Sequence, residues 1–104
     1  MQGRHFQRTV IFRGFVYDVV ISTYPQPPRN PRIQLWDIFD GFPMYTASVN
    51  PAYKLSPEFI LIQNSGVTSG ILPLLISAGV LRATRRMMFV SGVQAQVCRL
   101  LTAK

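Results

Sequence analysis

Acidic side chains and metal ligands are scarce in this sequence. Its 104 residues include four Asp and Glu, one His and one Cys. Enzymatic chemistry needs a base, a nucleophile or a set of metal ligands, so we expect a protein that is not an enzyme and uses no cofactor. His5 has no second histidine with which to hold a metal, and a single Cys98 excludes a disulfide within the chain. Because Val97 and Leu100 lie near it, Cys98 is predicted to be a buried apolar side chain.

Long hydrophobic runs are also missing. The longest apolar run, from Ile71 to Leu81, has eleven residues and contains Pro73 and Gly79. A transmembrane helix needs about 20 apolar residues, so this run is too short to cross a bilayer. The first twenty residues contain neither an apolar block nor a small-residue cleavage site of the kind found in secretory signals. We therefore expect a cytoplasmic protein without membrane contact.

Apolar residues are abundant, at 48% of the chain against 14% charged residues. This composition is globular, and the length predicts a single domain over residues 1–104. Residues 1–7 are expected to be a frayed N-terminus. Residues 25–31 are predicted to be an exposed proline-rich loop, because proline cannot donate to a sheet ladder.

Three hairpins are predicted, because three glycine turns are each flanked by two runs rich in β-branched and aromatic residues. The paired runs are Thr9 to Phe12 with Phe15 to Tyr24, Ile33 to Phe39 with Met44 to Val49, and Arg82 to Val90 with Val93 to Leu101. A further strand is predicted from Phe59 to Ile62, where both faces are apolar. Two-residue alternation places Phe15, Tyr17, Val19 and Ile21 on one core-facing side of their strand.

One helix is predicted, from about Gly70 to Ala78. Its apolar residues recur at three- and four-residue spacing and should face the core: Ile71, Leu74, Leu75 and Ala78. Thr68 or Ser69 is the predicted N-cap, and Gly79 suits the position after the helix. The predicted fold class is therefore α+β, with a mainly antiparallel β-sheet of about five to seven strands packed against one short α-helix.

Several short patterns between Tyr17 and Leu101 resemble those of small uncharacterised proteins carried on bacterial plasmids, conjugative elements and phages. The patterns are Tyr17-Asp18-Val19-Val20, a strand ending in Tyr24-Pro25, the Asp40-Gly41 turn followed by Tyr45 and Val49-Asn50, and Gly70 through Ala78-Gly79-Val80-Leu81. The resemblance implies an accessory gene of a mobile genetic element and no particular mechanism. Proteins of that setting often bind host machinery, and anti-CRISPR proteins are among them.

Positive charge is concentrated at the C-terminal end of the chain. The net charge is +7, and residues 82–104 contain five cations and no acid. Arginine dominates, with nine Arg to two Lys, and guanidinium groups form bidentate contacts with carboxylate and phosphate. We predict a partner-binding surface in this segment, a basic ridge with an apolar border. Its residues are Arg82, Arg85, Arg86, Arg99, Met87 and Phe89.

Two kinds of partner fit such a surface. The first is a host protein or a ribonucleoprotein complex, bound in an anti-defence role. The second is nucleic acid, bound by a small basic module through phosphate contacts, which would be weak and sensitive to salt. The predicted helix contains no Lys or Arg and so is no recognition helix, which favours the first kind.

Overall fold

Eight strands and one α-helix make up the described part of the chain, which in this computed structural model comprises the backbone of residues 4–101 and the side chains of residues 8–101. The strands are β1 (Arg4–Phe12), β2 (Phe15–Thr23), β3 (Pro31–Asp37), β4 (Pro43–Thr46), β5 (Ser48–Val49), β6 (Phe59–Ile62), β7 (Leu81–Val90) and β8 (Val93–Leu100). A 3-10 turn (Gly66–Thr68) precedes the helix α1 (Ile71–Ser77). These bounds confirm all three predicted hairpins and also the predicted strand from Phe59 to Ile62.

The strands form two antiparallel sheets, the first in the order β1-β2-β3-β4 and the second in the order β5-β6-β8-β7. The predicted α+β class, mainly antiparallel with one short helix, is confirmed. The arrangement differs from a single sheet of five to seven strands because the predicted run Met44 to Val49 divides at Ala47. The Ala47 amide donates to the Ile33 carbonyl of the first sheet, and its carbonyl accepts from the Gln63 amide beside the second.

The helix α1 lies between the two edge strands β1 and β7, where it closes the open side of the core. Ile71 and Leu75 are fully buried, and Leu74 and Ala78 are partly buried against the same cluster. The predicted core-facing side of the helix is therefore confirmed. Gly79 follows the helix with a φ of 76°, in the left-handed region that favours glycine at this position.

The N-terminus of α1 is capped from a distance in sequence. The Asn64 Oδ1 accepts hydrogen bonds from the amides of Gly70 at 3.1 Å and Leu72 at 2.9 Å. The prediction of Thr68 or Ser69 as the N-cap is wrong, because Gly70 occupies that position with a φ of 91° and Thr68 is buried in the preceding 3-10 turn. A loop side chain thus satisfies the amides that a local cap would have satisfied.

The first hairpin is longer than its apolar pattern indicates. The backbone of residues 4–7 already belongs to β1, with Arg4 opposite Ile21, although a frayed segment was predicted over residues 1–7. Residues 1–3 lie outside the described part of the chain. Of the four β2 residues predicted to face the core, only Phe15 is exposed, because it adjoins the turn at the end of the sheet. The proline-rich segment is irregular through Asn30, and Pro31 begins β3.

Two apolar clusters result from this arrangement. The larger lies between the first sheet, the helix and the inner face of the second sheet. The smaller lies on the outer face of the second sheet, where Leu61, Ala95 and Val97 are buried beneath the irregular segment of residues 51–58. This second cluster gives the outer face an apolar surface next to the arginines of β7 and β8.

Candidate functional site

A bulge interrupts β7, the strand at the edge of the second sheet. Three residues, 84–86, lie opposite the single residue Val97 of β8. The flanking pairs are Ala83 with Cys98 and Met87 with Gln96. The bulge adds two residues to β7, so the alternation of side chains between the two faces resumes in the same phase after it.

Side-chain hydrogen bonds hold the bulge. The Thr84 hydroxyl donates to the Val97 carbonyl at 2.7 Å. The side-chain amide of Gln96 donates to the backbone carbonyls of Thr84 and Arg86. These bonds satisfy backbone groups that the interrupted ladder leaves unpaired. Arg85, at the middle of the bulge, is left exposed on the edge of the sheet.

The six predicted partner-binding residues do not form one surface. Arg82 lies opposite Arg99 on the outer face of the second sheet, and Arg86 lines a groove on that face together with Arg99. Met87 and Phe89 belong to the other face, because they pair with Gln96 and Gln94 and alternate with residues of the outer face. Arg82, Arg86 and Arg99 therefore lie on the opposite face of the sheet from Met87 and Phe89, and Arg85 lies at its edge.

We call the groove on the outer face the basic groove. Its volume is about 440 Å³. Its floor is apolar and its rim holds three cations and a phenol hydroxyl. The lining residues are Tyr53, Lys54, Leu55, Ser56, Phe59, Leu61, Thr84, Arg86, Met88, Val97 and Arg99. None of these residues is acidic, so the described lining presents only positive charge.

A buried asparagine holds the wall of the basic groove. Asn30 is fully buried, and its side chain donates to the Tyr53 carbonyl at 3.0 Å and accepts from the Leu55 amide at 2.8 Å. The Lys54 ammonium donates to the Arg29 carbonyl at 2.9 Å. The proline-rich loop thus fixes the irregular segment across the sheet, and an ordered wall costs less entropy when a ligand binds.

Two of the polar groups on the rim contact other side chains of the groove. The Arg99 guanidinium lies 5.2 Å from the centre of the Phe59 ring, close enough for a cation–π interaction. The Tyr53 hydroxyl lies 3.5 Å from the Met88 sulfur. Arg86 is exposed to solvent. Arg99 is therefore held in place over the apolar floor, while Arg86 is free to reach a ligand.

Met87 lines a smaller cavity on the inner side of the β7–β8 hairpin. This cavity has a volume of about 190 Å³ and lies between the hairpin and the start of α1. Its lining residues are Ile62, Asn64, Ser65, Leu72, Met87, Gln94 and Gln96. Phe89, which alternates with Met88 on the same strand, is 75% exposed and is not part of the lining. The lining carries no charge, so the cavity lacks the electrostatic character of the basic groove.

A second surface lies at the end of the first sheet, where the β1–β2 and β3–β4 turns meet. We call it the aromatic tip. Its exposed apolar residues are Ile11, Phe15, Val16, Ile38, Phe39, Phe42 and Met44. Large exposed apolar patches are a common feature of interaction surfaces. The sequence pattern predicts strands and turns here and no binding role, because exposure at a sheet end is not visible in two-residue alternation.

The described residues offer little for covalent or metal chemistry. Among the described side chains, those of residues 8–101, no group of three His, Cys, Asp or Glu is placed to hold a metal ion. Cys98 is buried, as predicted, and burial raises the pKa of its thiol to about 12. Within the same range no helix is long and apolar enough to cross a membrane.

Comparison with known proteins gives no relative: no protein-family model, curated protein or solved structure matches the chain. The resemblance to proteins of mobile genetic elements therefore stays a prediction, as does the cytoplasmic location. The basic groove combines a concave shape, positive charge and apolar surface.

Proposed function

We propose that the protein is a non-enzymatic binding protein whose basic groove holds an acidic, partly apolar segment of a host protein or ribonucleoprotein. The observation that carries this proposal is the placement of Lys54, Arg86 and Arg99 around an apolar floor. A volume of about 440 Å³ lies within the range of about 300–1,000 Å³ that is typical of ligand sites.

The floor of the groove favours a peptide over a bare phosphate chain. Leu61 and Val97 are buried at the bottom of the groove, and Phe59 and Met88 are partly exposed within it. A partner side chain that covered this floor would gain about 25 cal/mol for each Å² of apolar surface removed from water. Carboxylates beside that side chain would meet the guanidinium groups on the rim, which bind them in bidentate geometry.

The resemblance to accessory proteins of mobile genetic elements supplies the context of this proposal. Such a protein acts by occupying a surface of the host's machinery. An anti-defence role follows, with inhibition of a CRISPR complex as one example. In this role the protein blocks its target by binding and needs no catalytic group.

A labelled peptide is the direct test of the proposed ligand class. The probe contains one Phe flanked by Asp and Glu, and its control replaces each acid by Asn or Gln. We expect fluorescence anisotropy to show binding of the acidic probe by the wild-type protein and at least tenfold weaker binding by Arg86→Glu, a loss of about 1.4 kcal/mol. The Arg85→Glu variant makes the same charge change outside the groove and should bind nearly as the wild type does. Equal binding of both peptides would contradict the proposal.

Capture from a bacterial lysate then tests the class of partner. A protein target predicts three results together. The wild-type protein and Arg85→Glu retain the partner, Arg86→Glu loses it, and nuclease treatment does not release it. Loss of the partner on nuclease treatment would favour the alternative, a nucleic-acid-binding module. The observation that favours this alternative is the row of Arg82, Arg99 and Arg86 on one face. Its binding should weaken steeply with salt, because phosphate contacts release counterions.

A further inference from the structure

The aromatic tip is an ordered structure that presents its apolar side chains outward. The Asp37 carboxylate accepts hydrogen bonds from the amides of Phe39 at 2.7 Å and Asp40 at 3.0 Å, and the Asp37 carbonyl accepts from Gly41 at 2.8 Å. These bonds fix the turn. Phe39 is 88% exposed at its apex, more than any other large apolar side chain of the described chain.

The chemistry of the tip matches the ligand that the basic groove accepts. Phe39 and Phe42 are exposed on either side of Asp40, so the turn is a short acidic segment with large apolar side chains. Asp18, Asp37 and Asp40, three of the four acids of the chain, belong to β2, β3 and the turn after β3. The groove, in contrast, has a cationic rim without an acid. The tip also holds a cation, Arg13 of the β1–β2 turn, whose guanidinium lies 4.8 Å from the centre of the Phe12 ring and donates to the Gly66 carbonyl. The Asp40 turn is therefore the part of the tip that is complementary in charge to the groove, and both surfaces are apolar.

The tip and the groove lie at opposite ends of the molecule. The first sheet is an antiparallel meander, so the turns at residues 13–14 and 38–42 share one end and the loop at residues 24–30 lies at the other. That loop contributes Arg29 and Asn30, which hold the wall of the groove. A copy therefore cannot place its own tip in its own groove, although a second copy can.

We propose that copies of this chain associate head to tail, with the aromatic tip of one copy seated in the basic groove of the next. The interface is heterologous, so each bound copy leaves one free tip and one free groove and the assembly grows beyond two copies unless it closes into a ring. The inference rests on the groove assigned by the proposed function but needs no host partner. Association and partner binding would compete for the same groove.

The purified chain tests this proposal by sedimentation velocity and light scattering. The net charge of +7 repels copies over long distances, so the measurement is made at about 0.15 M salt, where the Debye length is about 8 Å. We expect the mass to rise above the 11.8 kDa of one chain, past that of two copies, as the concentration is raised about a hundredfold. A wild-type protein that stays at the mass of one chain throughout would overturn the proposal.

Two pairs of variants locate the interface. Phe39→Ser removes the apex of the tip and Arg86→Glu reverses the charge of the groove, so each should stay at the mass of one chain. Phe89→Ser and Arg85→Glu make the same changes at exposed sites outside both surfaces and should associate as the wild type does. Thermal unfolding verifies that all four variants are folded.

Mixing the first two variants gives the sharpest test. Phe39→Ser keeps an intact groove and Arg86→Glu keeps an intact tip, so an equal mixture contains one functional interface. We expect the mixture to reach the mass of two copies and to stop there. Association of Arg86→Glu alone would instead show that two tips meet, and the head-to-tail proposal would be wrong. The acidic peptide should still bind to monomeric Phe39→Ser, so failure of self-association is distinguishable from failure of the proposed function.

Discussion

Arg82 of β7 lies directly opposite Arg99 of β8, with Phe59 of β6 on the other side of Arg99. Like charges directly opposite each other on one face of a sheet are destabilising. No acid occurs between residues 82 and 104 to relieve this repulsion locally. Local conflicts of this kind are expected at functional or strained sites. The pair therefore supports the proposal that the outer face of the second sheet binds an anionic partner.

Relief of the repulsion should stabilise the protein. The Arg82→Glu variant places a carboxylate opposite Arg99, and we expect the free energy of unfolding to rise by about 0.2–1 kcal/mol. Arg82→Gln removes the positive charge without adding a negative one, so its free energy of unfolding should lie between those of Arg82→Glu and the wild type. Urea denaturation at low salt measures the difference. A lower stability for Arg82→Glu would show that the two guanidinium groups do not repel each other.

Removal of the distant helix cap should destabilise the protein. Asn64→Ala leaves the amides of Gly70 and Leu72 without their acceptor, and the loss of an N-cap costs about 0.5–2 kcal/mol. Asn64→Asp keeps an acceptor oxygen and should retain most of the stability. Hydrogen exchange of the two amides, measured beside thermal unfolding, reports the loss locally. Unchanged exchange in Asn64→Ala would mean that water replaces the cap without cost.

The hairpins were predictable because their signals are local. Both central residues of two turns have positive φ, 55° and 86° at Arg13-Gly14 and 52° and 79° at Ser91-Gly92. Such tight turns suit the twist of the flanking strands, and a glycine beside two β-rich runs indicates them. The core-facing side of α1 was predictable for a similar reason, because its apolar residues recur only three or four positions apart in the sequence. The cap was not, because Asn64 reaches the helix through a loop conformation that the sequence does not reveal.

The groove was predictable only in part, because it depends on contacts between distant residues. The charge pattern indicates Arg86 and Arg99 but not Lys54, which reaches the groove through a wall held by Asn30, twenty-five residues from its partner Leu55 in sequence. The bulge at residues 84–86 depends on Gln96 of the neighbouring strand. Without that pairing, the sequence does not show that β7 is interrupted at this point.

Truncation of the helix core should be costly. Leu75 is fully buried between the helix and the sheets, and Leu75→Ala should lower the free energy of unfolding by about 2–5 kcal/mol. A helix of seven residues is too short to be stable alone, so it depends on this packing. Ile76, which is 41% exposed on the same helix, is the matched position, and Ile76→Ala should cost less than about 1 kcal/mol. Equal costs for the two variants would contradict the assigned burial.

Alkaline pH should destabilise the fold through Cys98. Burial raises the pKa of its thiol from 9.0 to about 12, so the folded state keeps the proton that the unfolded state releases. The stability that the neutral thiol contributes is complete below the unfolded pKa and is lost as the pH rises from about 9 towards 12. Burial also raises the pKa of Tyr17 and Tyr24, so a further decline should begin near pH 10.0.

The Cys98→Ala variant separates the thiol from the tyrosines. Its stability at pH 8 should be lower than that of the wild type because a buried group is truncated, but its decline between about pH 8 and pH 11 should be shallower. Urea denaturation across this range measures both slopes. The thiolate attacks the methylene carbon of iodoacetamide and displaces iodide, so the reagent should modify Cys98 of the wild-type protein only when the chain unfolds, because the thiol is buried and neutral in the folded state. Parallel slopes for the two proteins would show that Cys98 is not the group that titrates.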